Sequence, residues 1–148
     1  MSILLKDIMD IDLVHKLQAY ARYHETMTEK TCTLGGKFFT KEARFTDPVR
    51  ELYGRDDIAD MFTARRRACE TYRFKIIDSL WGEGGQTAYW RWDRITTDAR
   101  GIKDIVSGMS EITFDMKGSI LAQIDYFDAF KVARQRNPFV WWLLRKFR

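Results

Sequence analysis

Five side chains in this 148-residue chain have the types and spacing for acid–base chemistry: Arg91, Asp93, Asp125, Asp47 and Tyr23. Arg91 and Asp93 stand two apart in an alternating segment, so they point to one face of a strand. Tyr89 and Ile95 share that side, and Trp90 and Trp92 take the other. Asp125 shares its strand face with Leu121, Gln123 and Phe127. If these faces line one cavity, carboxylates and an arginine meet in an apolar enclosure. Burial raises carboxylate pKa values, a close like charge raises one further, and arginine lowers its partner's. One acid then stays protonated while another ionises near neutral pH, the splitting that acid–base catalysis uses.

Each of these residues also has a plainer use. Arg91 and Asp93 fit a solvated strand face with Trp90 and Trp92 as core, and alternation alone does not choose between the two faces. Asp47 precedes Pro48, which suits a turn or cap. Tyr23 lies on an apolar helix stripe and suits a core. Asp125 is harder to dismiss, because an acid in an otherwise apolar strand is rarely buried without a partner.

Other chemistries find little support. His15, His24, Cys32 and Cys69 are the only histidines and cysteines, and they form no metal-ligand spacing. No metal and no cofactor is therefore expected. No serine or cysteine has an elbow or triad context, and Gly84-Gly85 reads as a hairpin turn rather than a phosphate loop. The run Arg65-Arg66-Arg67 reads as a solvated helix face, with an anion site as the alternative.

The net charge is +4, but residues 134–148 hold Arg134, Arg136, Arg145, Lys146 and Arg148 and no acid. Without them the chain is close to neutral, so nucleic acid is not an expected partner. No run approaches the roughly 18–20 apolar residues of a membrane helix. The start, MSILLKDIMDIDL, has acids through its apolar stretch. A cytoplasmic protein is expected. The basic, aromatic segment 131–148 is expected to be helical and to pack on the sheet or a partner; contact with a membrane surface is the alternative.

The elements that must position these residues follow from periodicity. Asp10 or Asp12 is expected to cap a first helix, with Leu13, Val14, Leu17, Ala21 and His24 as its buried stripe. A poorer helix spans Thr33–Thr40, interrupted by Gly35 and Gly36. A short strand, Ala43–Phe45, leads into the Asp47-Pro48 turn. Ile58, Met61, Phe62, Arg65 and Cys69 then recur at helical spacing, with Asp56 as cap. From Thr71 the period becomes two. Thr71–Glu83, Gln86–Thr96, Asp104–Asp115 and Ser119–Phe127 read as four antiparallel strands, and Asp128 as the cap of a last helix. Helices followed by a meander define one α+β domain over residues 1–148, with its core at about 10–130. Its strands are apolar on both faces, so the sheet needs two covers. A homodimer built on the Trp90/Trp92 face is expected.

Phe45-Thr46-Asp47-Pro48-Val49 followed by Tyr53-Gly54-Arg55-Asp56-Asp57-Ile58 resembles the "F-x-D-P … G-R-x-x-I" stretch of nuclear transport factor 2-like proteins. That superfamily includes ketosteroid isomerases, SnoaL-like polyketide cyclases and limonene-epoxide hydrolases. Phe114-Asp115-Met116-Lys117-Gly118-Ser119-Ile120 is similar to their "F-D-x-x-G-K-I" hairpin, and Asp125-Tyr126-Phe127-Asp128 to their "D-Y-W/F-D" strand end. The resemblance covers about residues 10–130. It implies a cone-shaped, curved, mixed/antiparallel sheet with N-terminal helices over its concave face.

Two sets of functional residues carry over from this resemblance. From the isomerases, Tyr23 and Asp47 would flank the ligand, while Ser110 stands where the family has a protonated aspartic acid. From the epoxide hydrolases, Arg91, Asp93 and Asp125 would form an Asp–Arg–Asp array. In that family a tyrosine and an asparagine hold the water; here their places fall to Phe45, which cannot hydrogen-bond, and Asp47. The resemblance thus implies a cofactor-independent isomerase, cyclase or hydrolase acting on a small, largely apolar molecule. Asp125 would be the base, Asp93 the acid and Arg91 their organiser, with Asp47 as a further catalytic carboxylate. Tyr23, Ser110, Phe45, Phe127 and Tyr89 would contact the ligand. The alternative is a non-catalytic ligand-binding or assembly domain of the same fold. The Leu/Trp/Arg-rich ending is similar to that of related SnoaL-like proteins.

Overall fold

A computed structural model describes residues 2–137, 139 and 142, with side chains for residues 12–133, 137, 139 and 142. The remainder of the basic segment 131–148 lies outside the described residues. Helix α1 spans Ser2–Glu25 and begins earlier than its expected cap. Leu13, Leu17, Tyr20 and His24 form its buried stripe at three- and four-residue spacing. The poorer helix is a tight 3-10 turn, Cys32–Phe38. Its glycines allow close packing: a Cβ on Gly35 would lie 2.6 Å from the Tyr23 hydroxyl.

Strand β1 (Phe39–Asp47), longer than expected, pairs with the short β2 (Arg50–Tyr53) across the Asp47-Pro48 turn. Helix α2 runs Arg55–Arg67 and is capped by Gly54, with Asp56 in the first turn. Strands β3 (Thr71–Trp81), β4 (Thr87–Thr97), β5 (Lys103–Phe114) and β6 (Ile120–Phe127) form the meander. Helix α3 is Ala129–Arg136, and the Asp128 carboxylate accepts from Lys131 N at 3.0 Å.

The sheet order is β2-β1-β6-β5-β4-β3, antiparallel except where β1 runs parallel to β6. Six right-twisted strands curve rather than lie flat, and α1 and α2 fill the concave side. This is the α+β cone expected. The core joins the α1 stripe to Phe39, Phe45, Ile58, Phe62, Phe74, Trp90, Trp92, Ile112 and Phe114. Fully burying one Phe or Ile contributes roughly 1.5–3 kcal/mol.

The β4 faces settle the alternative left open by alternation. Trp90 and Trp92 are each 1% exposed and point into the concave core. They are not the dimer face that was expected. Tyr89, Arg91, Asp93 and Ile95 lie on the convex side. Gly108 makes the inward packing of Trp92 feasible. It pairs directly with Trp92, and a Cβ there would sit 2.5 Å from the indole and 2.7 Å from the Tyr126 carbonyl oxygen. Among the described residues no helix is long and apolar enough to cross a membrane.

Candidate functional site

Strand β6 sends Gln123 and Asp125 inward on the same face. Leu121, expected beside them, is exposed because the β5–β6 register shifts at Thr113/Phe114. Asp125 is 5% exposed, and its carboxyl sits in a one-directional network. Trp92 Nε1 donates to Ser110 Oγ at 2.9 Å, and Ser110 Oγ donates to Asp125 Oδ1 at 2.6 Å. Gln123 Nε2 donates to the same oxygen at 2.8 Å, and the Tyr20 hydroxyl donates to Gln123 Oε1 at 2.7 Å. Every donor points toward Asp125. With Oδ1 accepting two hydrogen bonds, a proton on this acid belongs on Oδ2.

Burial raises the Asp125 pKa above the usual carboxylate range, and nearby Asp47 adds to the rise. Arg65, Gln123 and Ser110 oppose it. Burial also keeps Tyr20 protonated well past its usual range, helped by the Asp125 charge. Tyr20 therefore stays a donor.

Asp47 lies at the end of β1, with its Oδ1 accepting from Val49 N and Arg50 N in an Asx-type turn. Its Oδ2 meets two cations, Arg50 Nε at 3.1 Å and an Arg65 amino nitrogen at 3.6 Å. Arg65 comes from α2, with its side chain only 16% exposed. His24 is buried among Tyr20, Tyr23, Phe62, Phe74 and Trp90. Neither ring nitrogen has a hydrogen-bond partner. Burial and the nearby Arg65 charge hold its pKa down to about 3, so the ring is neutral.

At the wide end of the cone a cavity of about 820 Å³ opens between α2, α3 and the ends of β4–β6. Arg65 and Phe127 line it, but Asp125 does not. Asp125 lies two residues behind Phe127 on the same strand face, beneath the cavity floor. The cavity wall does carry acids, Asp98 and Asp104, but not the expected Asp47, Asp93 and Asp125.

The expected residues divide accordingly. Asp125, Ser110, Asp47 and Phe127 are inside the cone. Phe45 is also inside but is fully buried against Phe62, as core. Arg91 is exposed on the convex face, and Asp93 there accepts from Ser107 Oγ at 2.6 Å. Tyr89 shares that face. The Arg91–Asp93–Asp125 meeting does not occur, because β4 turns its indoles inward and its charges outward. Tyr23 donates its hydroxyl to the Cys32 carbonyl at 2.7 Å, tying α1 to the 3-10 helix. Tyr20, one turn earlier, is the α1 tyrosine linked to the acid, through Gln123. Tyr20, Gln123, Trp92 and Arg65 were not among the expected site residues. Their signals were present: Tyr20 continues the Leu13–Leu17 stripe, Gln123 shares the Asp125 face, and Arg65 continues the Met61–Phe62 stripe.

This fold and site define a class. The family model of the SnoaL-like domain matches residues 20–123. The chain belongs to the SnoaL-like family. It is similar in structure to the epoxide hydrolase/cyclase-like enzyme SalBIII of pyran ring formation in salinomycin, at TM-score 0.69 and 15% identity over 81% of this chain and 93% of that one. A nuclear transport factor 2-like protein of unknown function from Exiguobacterium sp. 255-15 matches at TM-score 0.66 and 19% identity, over 77% and 98%. A protein with a ketosteroid isomerase-like fold from Catenulispora acidiphila DSM 44928 matches at TM-score 0.64 and 12% identity, over 77% and 85%. At these identities the likeness shows the fold. No curated relative matches the chain.

Proposed function

We propose that this protein is a cofactor-independent acid–base catalyst for a small, largely apolar molecule admitted through the wide end of the cone. The observation that carries the proposal is Asp125: a buried carboxyl with neutral donors on Oδ1 only and a raised pKa. In this reading Oδ2 gives or takes the proton, and Ser110, Gln123 and Tyr20 position the acid. Phe127 and Arg65 must move aside for the ligand to reach it. The proton transfer fits an isomerase, cyclase or epoxide hydrolase alike.

A screen of enones and epoxides tests the proposal. Asp125→Asn is expected to reduce turnover by about 10²–10⁴-fold, the usual range for a lost acid–base group. Asp93→Asn, on the convex face, is expected to keep it. Wild-type turnover in Asp125→Asn would contradict the assignment.

A second reading, a ligand-binding domain without catalysis, is favoured by a different observation. Both catalytic sets carried over from relatives are incomplete. Arg91 and Asp93 are outside the cone, and the Tyr23 hydroxyl is committed to Cys32. Tight ligand binding with no turnover by wild-type protein across the screen supports this reading.

We also propose that the convex face pairs with a second copy. It presents Met109 and Tyr126 in register beside exposed Arg91, with Asp93 next in line. A two-fold axis can set the Arg91 of one copy against the Asp93 of the other. Light scattering is expected to give twice the chain mass, and Met109→Glu the single mass. A wild-type monomer at micromolar concentration contradicts the pairing.

A further inference from the structure

A second cavity, of about 520 Å³, occupies the crevice between α1, the 3-10 helix and the β5–β6 turn. It shares no lining residue with the wide-end cavity. Its volume is within the usual range of small-molecule sites. Tyr20, Tyr23, Phe114 and Ile120 are buried and form an apolar floor, and Leu34 stands at the rim 48% exposed. Ala19 of α1 is exposed there, and its small side chain leaves the crevice room.

The charged groups around this floor are of one sign. Lys16 and Arg22 of α1 and Lys37 of the 3-10 helix line the crevice, and among the described residues no acid does. Within those residues none of the three forms an ion pair. All three are exposed, so water satisfies them and a ligand can replace that water. The Lys16 stem is also steered, because it packs on Gly118, where a Cβ would lie 2.8 Å from Lys16 Cγ. Most hydroxyls of the lining are already engaged. Tyr20 donates to Gln123, Tyr23 to the Cys32 carbonyl and Thr26 to the Arg22 carbonyl, while Thr31 bonds Thr28. An entering ligand therefore meets ring and aliphatic surface below it and cations around it, with the Ser119 hydroxyl as a further donor.

We propose that this crevice binds a small organic phosphate, its apolar body on the floor and its phosphoryl group between Lys16, Arg22 and Lys37. A phosphate monoester carries about −1.5 to −2 charges at neutral pH and three acceptor oxygens. It therefore engages several cations at once, which a single carboxylate does less well. A concave wall of one charge sign also raises the local concentration of such anions. This site stands apart from the chemistry proposed at Asp125, and neither depends on the other.

Calorimetry on the full chain with 1-naphthyl phosphate, 1-naphthol and inorganic phosphate tests the site. The expected result is 1-naphthyl phosphate binding about tenfold or more tighter than either of the others, with its lead over 1-naphthol shrinking at high salt. Exposed ion pairs are individually weak, so Arg22→Gln and Lys37→Gln are each expected to lower its affinity about two- to fivefold. Lys75→Gln, beside Asp93 on the convex face, removes the same charge and is expected to change it little. Ala19→Phe fills the crevice and is expected to abolish binding, with far-ultraviolet circular dichroism unchanged. Binding no tighter than that of 1-naphthol overturns the phosphate recognition, and binding no tighter than that of inorganic phosphate overturns the role of the floor. Equal losses in Lys75→Gln and Arg22→Gln, wild-type affinity in Ala19→Phe, or no binding at millimolar concentration overturn the site itself.

Discussion

Acid is expected to destabilise this protein through His24. The ring is neutral and buried in an aromatic box, with its pKa held down to about 3, whereas an unfolded chain titrates near 6.5. Below pH 6.5 the unfolded chain takes a proton that the folded one refuses. The stability that neutral His24 contributes is whole above pH 6.5 and is lost as the pH falls toward 3. Each pH unit corresponds to roughly 1 kcal/mol or a little more, so on the order of 3 kcal/mol is lost by pH 4.5. Asp125 acts with the opposite sign. Its raised pKa means the folded state holds a proton that the unfolded chain has released, so falling pH favours the fold there.

Comparing wild type with His24→Phe cancels the Asp125 contribution and isolates His24. Phe keeps the ring contacts and removes two nitrogens that lack partners. Urea unfolding of both proteins from pH 7.5 to 4.5 is the assay. The variant is expected to be at least as stable as wild type at pH 7.5, with the gap widening by roughly 3 kcal/mol at pH 4.5. Parallel curves would mean that His24 protonates in the folded state, and would refute the dry aromatic box.

Three further outcomes follow from the geometry. Gly108→Ala is expected to cost about 1–3 kcal/mol by overpacking against Trp92 and to alter the near-ultraviolet circular dichroism of the indoles. Ser110→Ala leaves the Trp92 N–H without its acceptor and takes a donor from Asp125. Urea unfolding is expected to show a loss of about 1–3 kcal/mol, with the Asp125 pKa pushed further up in carbon-13 carboxyl titration. Asp128→Ala removes the α3 cap and is expected to cost about 1 kcal/mol, read from the unfolding midpoint.

The meander was legible because its period of two holds over most of each strand, with register shifts only at Ile76/Asp78 and Thr113/Phe114, and its turns carry glycine. Gly118 is an example: its φ of 80° suits the tight turn where Asp115 accepts from Lys117 N and Ser119 N. The orientation of β4 was not legible, because both of its faces carry large apolar and charged residues. Trp90, Trp92 and Arg94 face one way; Tyr89, Arg91, Asp93 and Ile95 face the other. Register decides it, since Trp92 pairs with Gly108 and the vacant Cβ position admits an indole. That pairing is a long-range fact which local periodicity does not contain.

Asp125 could be singled out because an acid in an apolar strand requires partners. Gln123, two residues away on the same strand face, was legible as a neighbour, but Ser110 on β5 and Tyr20, which acts through Gln123 from α1, were not, since both are brought in by long-range packing. Arg65 was obscured by the run Arg65-Arg66-Arg67. Helical phase separates it from its neighbours, as it lies four residues after Met61 and three after Phe62 on the buried stripe.

The central claim is that a ligand entering the wide end engages the Asp125 network. The Trp92 indole N–H reports on it directly, because it donates to the serine that holds Asp125. Titration of nitrogen-15-labelled protein with a hit from the enone and epoxide screen is expected to shift the Trp92 indole and Gln123 side-chain amide resonances together, leaving the Ser107 and Asp93 amides of the convex face in place. Shifts confined to the convex face, or to the crevice between α1 and the 3-10 helix, would contradict it.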